Sequence, residues 1–233
     1  NGEQAWMRRL QSGQAGENMT NRIAGQFGGV PYKYFGDWTD RIAKGELPKN
    51  KPTRPQGVER NVVINAWEWS SPDKYMHDLI SSDRRYPTVN GYGPLYGSPE
   101  YSTDLMPILD PKTSKVTFFK MPVEDPNMPV SLGPGDEILW DTRANNHNSM
   151  LDKEGRVWLA ASVRGMANPD YCKKGSDHPS AKVVPLETSA RQAAVLDPKT
   201  MKYSTINTCF ATHHPQFGYD ADDTLWFSGT GPV

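Results

Sequence analysis

Short apolar runs separated by turn residues make up most of the chain after residue 60. These runs are rich in β-branched and aromatic residues and are bounded by Asp, Gly, Pro or Asn, a pattern typical of β-strands. They cover Asn61–Trp69, Lys115–Lys120, Glu137–Trp140, Arg156–Ala160, Gln192–Leu196 and Thr224–Phe227. Helical periodicity is absent from this part of the sequence, so the pattern predicts an all-β region.

The first 58 residues have a different pattern. Ala5–Gln11 contains good helix formers. Asp37–Lys44 begins with a residue suited to cap a helix and is followed by Gly45, a residue suited to end one. A stretch rich in Pro, Lys and Arg comes next and is expected to be an extended linker. We therefore predict a small helical N-terminal segment with a linker at 1–58, and a β-rich domain at 59–233.

The β-rich part carries a repeat marked by three histidines. His77, His147 and His214 are separated by 70 (147 − 77) and 67 (214 − 147) residues. The last two are each followed by an apolar stretch, an acidic turn and an aliphatic-Trp-apolar run centred on Trp158 or Trp226. Recurrence in step is typical of repeat architectures. Short strands with frequent turns favour radially arranged sheets over a sandwich or a doubly wound fold.

A second repeated motif supports the first. The sequence Leu-Asp-Pro-Lys-Thr occurs at Leu109–Thr113 and again at Leu196–Thr200. Pro restricts φ and the Asp side chain can accept a bond from the backbone two residues on, so each copy predicts a tight hairpin. The second repeat unit is longer than the first. Its extra residues are assigned to Arg164–Pro185, which is predicted to be a surface insertion.

Composition and charge exclude several classes of function. The formal net charge is −1 and the basic residues are scattered, so the chain lacks the clustered Lys and Arg that nucleic-acid binding requires. No apolar run is long enough to cross a bilayer, and no membrane span is expected in this segment. Cys172 and Cys209 are the only cysteines. We predict a disulfide between them, although two separate buried thiols would give the same sequence.

The arrangement of these motifs resembles the streptogramin B lyase (virginiamycin B lyase) group of β-propellers. Blades in that group carry a His, an apolar stretch, an Asp/Gly turn and a Val/Leu-Trp-Phe strand, followed by a Leu-Asp-Pro hairpin. The matching elements are His147–Leu159 with Leu196–Thr200, His214–Phe227 and, more loosely, His77–Tyr96 with Leu109–Thr113. The resemblance covers roughly residues 60 to 233 and implies a partial β-propeller of about three blades that continues beyond this chain.

The chain also resembles multi-domain bacterial proteins in which such a propeller follows a carboxypeptidase-regulatory-like module and a cytochrome c-like region. The resemblance implies that the helical start is the end of such a region. No Cys-x-x-Cys-His motif is present, so this chain is not expected to attach haem covalently. A cytochrome or another redox protein is therefore a candidate partner, and a periplasmic or secreted location is expected.

The three repeated histidines are the principal candidates for chemistry. The inner strands of a propeller converge on a central channel, so His77, His147 and His214 are expected to lie together there. Three neutral imidazoles would make a transition-metal site. The alternative is that each histidine only bonds the turn of its own blade. His213 would point to the face opposite His214 if this stretch is extended.

The resemblance also implies a mechanism. In streptogramin lyases a channel-end histidine acts as general base, and acidic residues hold a Mg²⁺ ion that stabilises an enolate. The resemblance implies that His147 and His214 are catalytic residues or ligands, with His77 as a third metal ligand. The family's acid commonly follows a Trp-Phe-Thr strand, but no carboxylate follows the repeated strand tryptophans here. Asp141 follows Trp140 directly after a predicted strand and is the remaining carboxylate candidate, with a turn role as its alternative.

Two further groups of residues are expected to be structural. Asp220–Asp223 contains three carboxylates but lacks the Gly and the distal Glu of a Ca²⁺-binding loop, which favours an acidic hairpin turn. His178 lies in the predicted insertion and is expected to be exposed.

The sequence therefore predicts a metal-dependent, lyase-like β-propeller enzyme. A divalent metal ion would sit at a His-lined channel end and act on a small-molecule substrate. The alternative is a non-catalytic propeller that binds a ligand or a protein as a scaffold in an extracytoplasmic redox assembly.

Overall fold

The protein is described by a computed structural model that covers residues 2–10, 16–61, 74, 76–130 and 141–229. The chain is divided into two compact units, Asn1–Glu68 and Trp69–Val233. Within the described ranges, no helix combines the length and the apolar character needed to cross a membrane.

The N-terminal unit is helical. It contains α1 (Glu3–Leu10), α2 (Gly16–Thr20), a π-helix (Asn21–Gln26), α3 (Val30–Ala43) and a 3₁₀ turn (Gly57–Asn61). The helix α1 packs against α3. The Trp6 ring lies 5.0 Å from the Phe35 ring, and its indole N–H donates to Thr39 Oγ1 at 3.2 Å. Gly36 permits this close approach, because a Cβ there would lie 2.8 Å from the Glu3 backbone nitrogen.

Sequence reasoning located both of the longer helices but placed the start of α3 wrongly. This helix begins at Val30, so Asp37 lies inside it and does not cap it. Gly29 precedes the helix with φ of +76°. Pro31 then occupies the first turn, where a missing N–H costs no hydrogen bond. The end of the helix is close to the prediction, because Gly45 follows it with φ of +84°.

The second unit consists mostly of antiparallel sheets. The first sheet has the order β1 (Asp78–Ile80), β2 (Leu95–Ser98), β3 (Leu105–Asp110) and β4 (Lys115–Lys120). The second has the order β5 (Ser149–Leu151), β6 (Val157–Ala161), β7 (Gln192–Asp197) and β8 (Lys202–Ile206). The third has two strands, β9 (Pro215–Phe217) and β10 (Leu225–Phe227). Consecutive strands pair in every sheet, so the two four-stranded sheets are meanders and the third is a hairpin.

Four predicted strands are confirmed to within a residue at either end, namely those that became β4, β6, β7 and β10. Two other predictions, Glu137–Trp140 and all of Asn61–Trp69 except its first residue, lie outside the described residues. The strands β1, β5 and β9 were not predicted, because three residues are too few to show an alternating pattern. The prediction of a β-rich domain is confirmed, with three sheets among the described residues.

The hairpins β3–β4 and β7–β8 are built by the same bonds, as the repeated motif predicts. Asp110 accepts bonds from the Lys112 backbone N–H and the Thr113 hydroxyl, each at 2.9 Å. Asp197 makes the corresponding two bonds in the second hairpin, also at 2.9 Å. In both hairpins this Asp pairs with the Lys that begins the next strand.

The core of the unit draws on both four-stranded sheets. Its members are apolar residues of β2, β3, β5, β6 and β7 and of segments outside the strands: Tyr96, Met106, Met121, Ala144, Leu151, Val157, Leu159, Ala161, Val163, Ala194 and Leu196. The contact between the sheets therefore holds the histidine-bearing segments in fixed relative positions.

The first strands of the three sheets lie side by side, with β5 next to both β1 and β9. Beyond these strands, Arg85 pairs with Asp83 and with Asp223, each at 2.7 Å. Lys153 also pairs with Asp223. The loops that follow the first strands of all three sheets are therefore joined by ion pairs. None of the described sheets closes on itself, so a propeller stays a prediction.

The predicted insertion between β6 and β7 is a surface segment with little regular structure. It holds a 3₁₀ turn (Asp170–Cys172) and the short helix α4 (Pro179–Val183). The predicted disulfide is confirmed: Cys172 is bonded to Cys209, with 5.1 Å between the Cα atoms. Arg164 adds a second tie, because it donates to Thr208 O at 3.2 Å.

Candidate metal centre

The three repeated histidines occupy matching places in the fold. His77 directly precedes β1, His214 directly precedes β9, and His147 is separated from β5 by Asn148. Because these three first strands are neighbours, histidines far apart in sequence are brought to one end of the strands. The structure therefore brings together all three histidines that were singled out from the sequence.

His147 lies at the centre of the cluster. Its Nε2 is 3.0 Å from Nε2 of His214. Its ring centroid is 4.5 Å from that of His77 and 5.0 Å from that of His214. The His147 side chain is fully buried, whereas His77 and His214 are exposed at the edge of the cluster. The cluster thus has a buried floor and a solvent-facing side.

His213 belongs to the same cluster, contrary to the sequence prediction. Its ring stacks on that of His147 with centroids 4.3 Å apart and planes within 4° of parallel. The prediction assumed strand alternation, but β9 begins only at Pro215, so His213 and His214 need not face opposite sides. Ser228 holds the pair, contacting His213 Nδ1 at 3.3 Å and accepting the His214 backbone N–H at 3.2 Å.

Glu100 is a buried carboxylate that sequence reasoning missed. Its Oε1 lies 2.9 Å from His147 Nδ1 and 3.2 Å from Arg191 Nη2, and its Oε2 lies 3.8 Å from His77 Nε2. Burial favours the protonated acid. The contact with His147 and the charges of His77 and Arg191 outweigh that effect, and the pKa of Glu100 is lowered. The cluster therefore contains a carboxylate that is ionised at neutral pH.

The strand register identifies the signal that could have located Glu100. Tyr96 pairs across its sheet with the third residue after His77, and Trp158 pairs with the third residue after His147. Tyr96 is therefore the counterpart of the strand tryptophan, and Glu100 lies just beyond the end of its strand. The motif was defined by Trp and therefore did not match this repeat. An aromatic residue followed by Gly-Ser-Pro-Glu is the sequence signal that would have identified Glu100.

The backbone near the cluster adopts left-handed conformations at several non-glycine residues. The φ angles are +46° at Glu100, +39° at Asn145 and +67° at Asn148. Asn tolerates this region, but for Glu it costs of order 1 kcal/mol. The Glu100 backbone N–H donates to Asn146 O at 2.8 Å, which helps to hold this conformation. Strain of this kind is often found at functional sites.

The histidines differ in their tendency to carry charge. Burial lowers the pKa of His213 to about 4, and the neighbouring His147 and His214 act in the same direction. Burial, followed by His147, also lowers the pKa of His214. The contact with Asp78 instead raises the pKa of His77. At neutral pH His213 and His214 are therefore uncharged, the state in which imidazole binds a metal.

Two sets of side chains in the cluster could hold a metal ion, and they share His147. One set is His147, His213 and His214, and the other is His77, Glu100 and His147. In each set, one ligand atom per residue lies within 4.8 Å of the others. Imidazole nitrogens suit zinc, copper, iron or nickel, so the donor atoms present fit a transition metal.

The remaining sequence candidates do not join the cluster. Asp141 is exposed and belongs to neither set. His178 is exposed and caps α4 by accepting the Ser180 backbone N–H. Asp220 accepts the Thr224 backbone N–H at 2.9 Å, so this acidic stretch forms a turn, as predicted.

The chain matches no known family model, no curated protein and no solved structure. The likeness to the streptogramin B lyase group therefore remains a prediction from sequence motifs.

Proposed function

We propose that this protein is a metal-dependent enzyme in which His147, His213 and His214 bind a transition-metal ion. The observation that carries the proposal is the 3.0 Å separation between Nε2 of His147 and Nε2 of His214. The two residues are 67 positions apart in sequence (214 − 147). Two ring nitrogens at this distance either share a proton or face a common cation, and a third imidazole beside them favours the cation.

The surroundings assign a ligand atom to each histidine. The Nδ1 of His147 faces Glu100 at 2.9 Å, so its Nε2 is the ligand. Ser228 contacts Nδ1 of His213, so Nε2 is again the nitrogen assigned to the ion. The His213 ring now stacks on His147 and must rotate for its lone pair to reach the ion, which its partial exposure permits.

The solvent-facing side of the cluster is where a substrate would approach. His147 is fully buried, so in this proposal it acts as a ligand and does not touch substrate. His214 and His77 are exposed at that side. A transition metal held there would act as a Lewis acid and polarise an oxygen of the substrate.

The lyase and propeller parts of the proposal rest on the repeat. The first strand of each sheet follows a histidine, consecutive strands pair within each sheet, and the three first strands are neighbours. Glu100 supplies a carboxylate near the end of a second strand, close to where the lyase group carries its acid. The Cys172–Cys209 disulfide supports an extracytoplasmic location, since structural disulfides persist in oxidising compartments.

The alternative function is a non-catalytic binding propeller. It is favoured by an exposed aromatic surface on the third sheet, where Trp226 is 64% and Tyr219 is 74% exposed. Such a surface suits contact with another protein. A cytochrome or other redox protein is the partner proposed for it.

Metal titration of the intact protein tests the proposed site. After removal of metal with a chelator, Co²⁺ should bind with visible absorption bands characteristic of nitrogen ligands. Changes in residues behind a ligand already cost about 10- to 100-fold in affinity, so His214→Ala is expected to weaken binding by at least about 100-fold. His178→Ala changes an exposed histidine outside the cluster and serves as the matched control. Equal affinity in the wild type and His214→Ala would overturn the proposal.

Activity can then be tested on a cyclic depsipeptide lactone of the streptogramin B type. Ring opening by elimination leaves the mass unchanged, whereas hydrolysis adds a water molecule. Metal-dependent opening without a change in mass would support the lyase reaction. Bound metal with no turnover would favour the binding propeller instead.

A further inference from the structure

We propose that the centre holds a second metal ion, bound by His77, Glu100 and Nδ1 of His147, so that the His147 ring bridges two ions. This proposal rests on the first ion being bound through Nε2 of the same ring. It makes the site dinuclear and explains why the two sets of candidate ligands share one residue.

The geometry around His147 supports a bridge. The two ring nitrogens of an imidazole point in different directions in the ring plane, so both can bind metal at once. On one side, Nε2 is 3.0 Å from His214 Nε2. On the other side, Nδ1 is 2.9 Å from Glu100 Oε1. Ligands of a tetrahedral ion with bonds of about 2.0 to 2.2 Å lie roughly 3.3 to 3.6 Å apart, so small shifts would admit an ion on each side.

His77 completes the second set from the solvent side. Its Nε2 lies 3.8 Å from Glu100 Oε2, somewhat wider than the separation of two ligands on one ion. Its side chain is about a third exposed, which leaves it room to move toward the ion. The second ion would thus have two buried ligands, Glu100 and His147, and one partly exposed ligand, His77, that is able to move.

An alternative role for Glu100 is to orient His147 from behind, by accepting its Nδ1–H. Carboxylates commonly support metal-binding histidines in this way. However, His147 Nδ1 is buried and makes no hydrogen bond of acceptable geometry, although Oε1 is only 2.9 Å away. The oxygen therefore lies away from the direction of a ring N–H. This position is compatible with two ligands that face a common ion.

Most of the buried polar atoms without partners belong to His147 and to residues next to His77 or His147 in the sequence. Seven such side-chain atoms occur in the described part of the chain, and five of them belong to Asp78, Asn146, His147 and Asn148. Asp78 contacts His77, and Asn146 O accepts the Glu100 backbone N–H. Buried polar atoms are normally satisfied, and a hydrated cation beside these residues would supply the missing partners.

The charges also permit a second cation. Glu100 and Asp78 are two carboxylates near the proposed position, and Arg191 is a cationic side chain in contact with Glu100. Arg191 contacts Oε1 and leaves Oε2 on the side of His77. When both ions bind, the His147 ring releases its remaining N–H proton to solvent and becomes an imidazolate anion, which adds further negative charge.

Copper titration with electron paramagnetic resonance tests the bridge. The full chain, freed of metal, is expected to bind about two Cu²⁺ per molecule. The resonance signal should rise with the first equivalent and fall with the second, because a bridging imidazolate couples the two spins antiferromagnetically. Saturation at about one equivalent, or a signal that rises in proportion to the copper added up to two equivalents, would overturn the bridged pair. Either result would leave the proposal of the first ion unaffected.

Variants assign each ion to its ligands. His77→Ala and Glu100→Gln should each bind about one Cu²⁺ with an ordinary signal that does not fall, and the retained ion shows that the protein is folded. His214→Ala should lose the first ion, and His178→Ala should behave as the wild type. If Glu100→Gln instead weakens a single ion by about 10- to 100-fold without changing the stoichiometry, Glu100 orients His147 and the second ion is overturned. Failure of the wild type to bind copper at all would overturn both proposals.

Discussion

The pair Asp83 and Arg85 shows how one buried charge can connect separate parts of the β-rich unit. Their side chains are 3% and 5% exposed, with Arg85 Nη2 at 2.7 Å from Asp83 Oδ2. Arg85 also donates to Gly218 O at 2.8 Å and pairs with Asp223. It therefore joins the loop after β1 to the loop between β9 and β10. Removing the charge of Asp83 leaves the buried Arg85 side chain with its ion pair to Asp223 and its bond to Gly218 O.

Asp83→Asn is expected to lower the free energy of unfolding by about 2 kcal/mol at pH 7, because it weakens hydrogen bonds between charged groups while Asp223 still pairs with Arg85. Burial favours protonation of Asp83, but hydrogen bonds from Arg85 outweigh it and lower the pKa of Asp83. A lowered folded-state pKa stabilises the fold above the unfolded value of about 3.9, and this stability is lost as the pH falls through the folded value.

Urea unfolding of the wild type and Asp83→Asn between neutral and acidic pH measures both effects. The difference between the two proteins should be largest at pH 7 and shrink below about pH 4. A difference that stays constant over this range would show that the carboxylate charge is not the source of the stability.

The site shows which residues a sequence can reveal at this scale. His77, His147 and His214 were found because they recur at similar intervals before similar strands. His213 was misplaced because the rule of alternation was applied to residues that precede β9. Glu100 was missed because its sheet has Tyr96 in place of the tryptophan. The proximity of His213 and Glu100 to His147 depends on packing between sheets, which a local sequence pattern does not predict.

At the scale of elements, the two hairpins that share the Leu-Asp-Pro-Lys-Thr motif allow the same test of backbone strain to be made twice. Ser114 and Met201 occupy the same place in the two loops, each with φ of +55°. A left-handed conformation costs an L-residue about 1 to 2 kcal/mol, while glycine loses about 0.5 to 1 kcal/mol of chain entropy on folding. Ser114→Gly and Met201→Gly are therefore each expected to stabilise the protein by about 0.5 to 1 kcal/mol.

Urea unfolding measures this gain in the free energy of unfolding, provided that the dependence of that free energy on urea concentration is the same in the variants and the wild type. Lys112→Gly is the matched control, because Lys112 lies in the same loop but has no positive φ. It should destabilise the protein by about 0.5 to 1 kcal/mol. Glycine substitutions that destabilise equally at Lys112 and Ser114 would contradict the argument.

Elements were predictable where their local signals were strong. The Leu-Asp-Pro-Lys-Thr motif determines its hairpin through bonds of Asp110 or Asp197 within the loop, so the sequence alone was sufficient to predict it. The predicted helix at Asp37–Lys44 was shorter than α3, because the helix begins after Gly29 with Pro31 in its first turn and Asp37 does not cap it. Three-residue strands such as β5 exist because neighbouring strands hold them in place.

At the scale of the whole molecule, the three sheets are joined at both ends of their first strands. The histidine cluster lies before these strands, and the ion pairs of Arg85 and Asp223 lie after them. The proposed metal centre is therefore a property of the assembled unit and of no single sheet. Its candidate ligands come from segments that precede β1, β5 and β9 and from Glu100 after β2.

The Cys172–Cys209 disulfide ties the surface insertion to the segment that leads to His213 and His214. The bond closes a separation of 37 residues, and a loop of that size corresponds to about 4 kcal/mol of stabilisation by restriction of the unfolded chain. The histidines themselves have separate anchors: the Thr212 backbone N–H donates to Arg191 O at 3.1 Å, and Ser228 contacts both histidines.

Reduction is therefore expected to lower the free energy of unfolding by about 4 kcal/mol while leaving the number of bound metal ions unchanged. Urea unfolding and metal titration, each with and without reductant, measure the two outcomes separately. The double variant Cys172→Ser with Cys209→Ser should match the reduced protein and show no response to reductant. If the reduced protein remains folded but binds no metal, the insertion positions the histidines directly, and the anchors at Thr212 and Ser228 are insufficient.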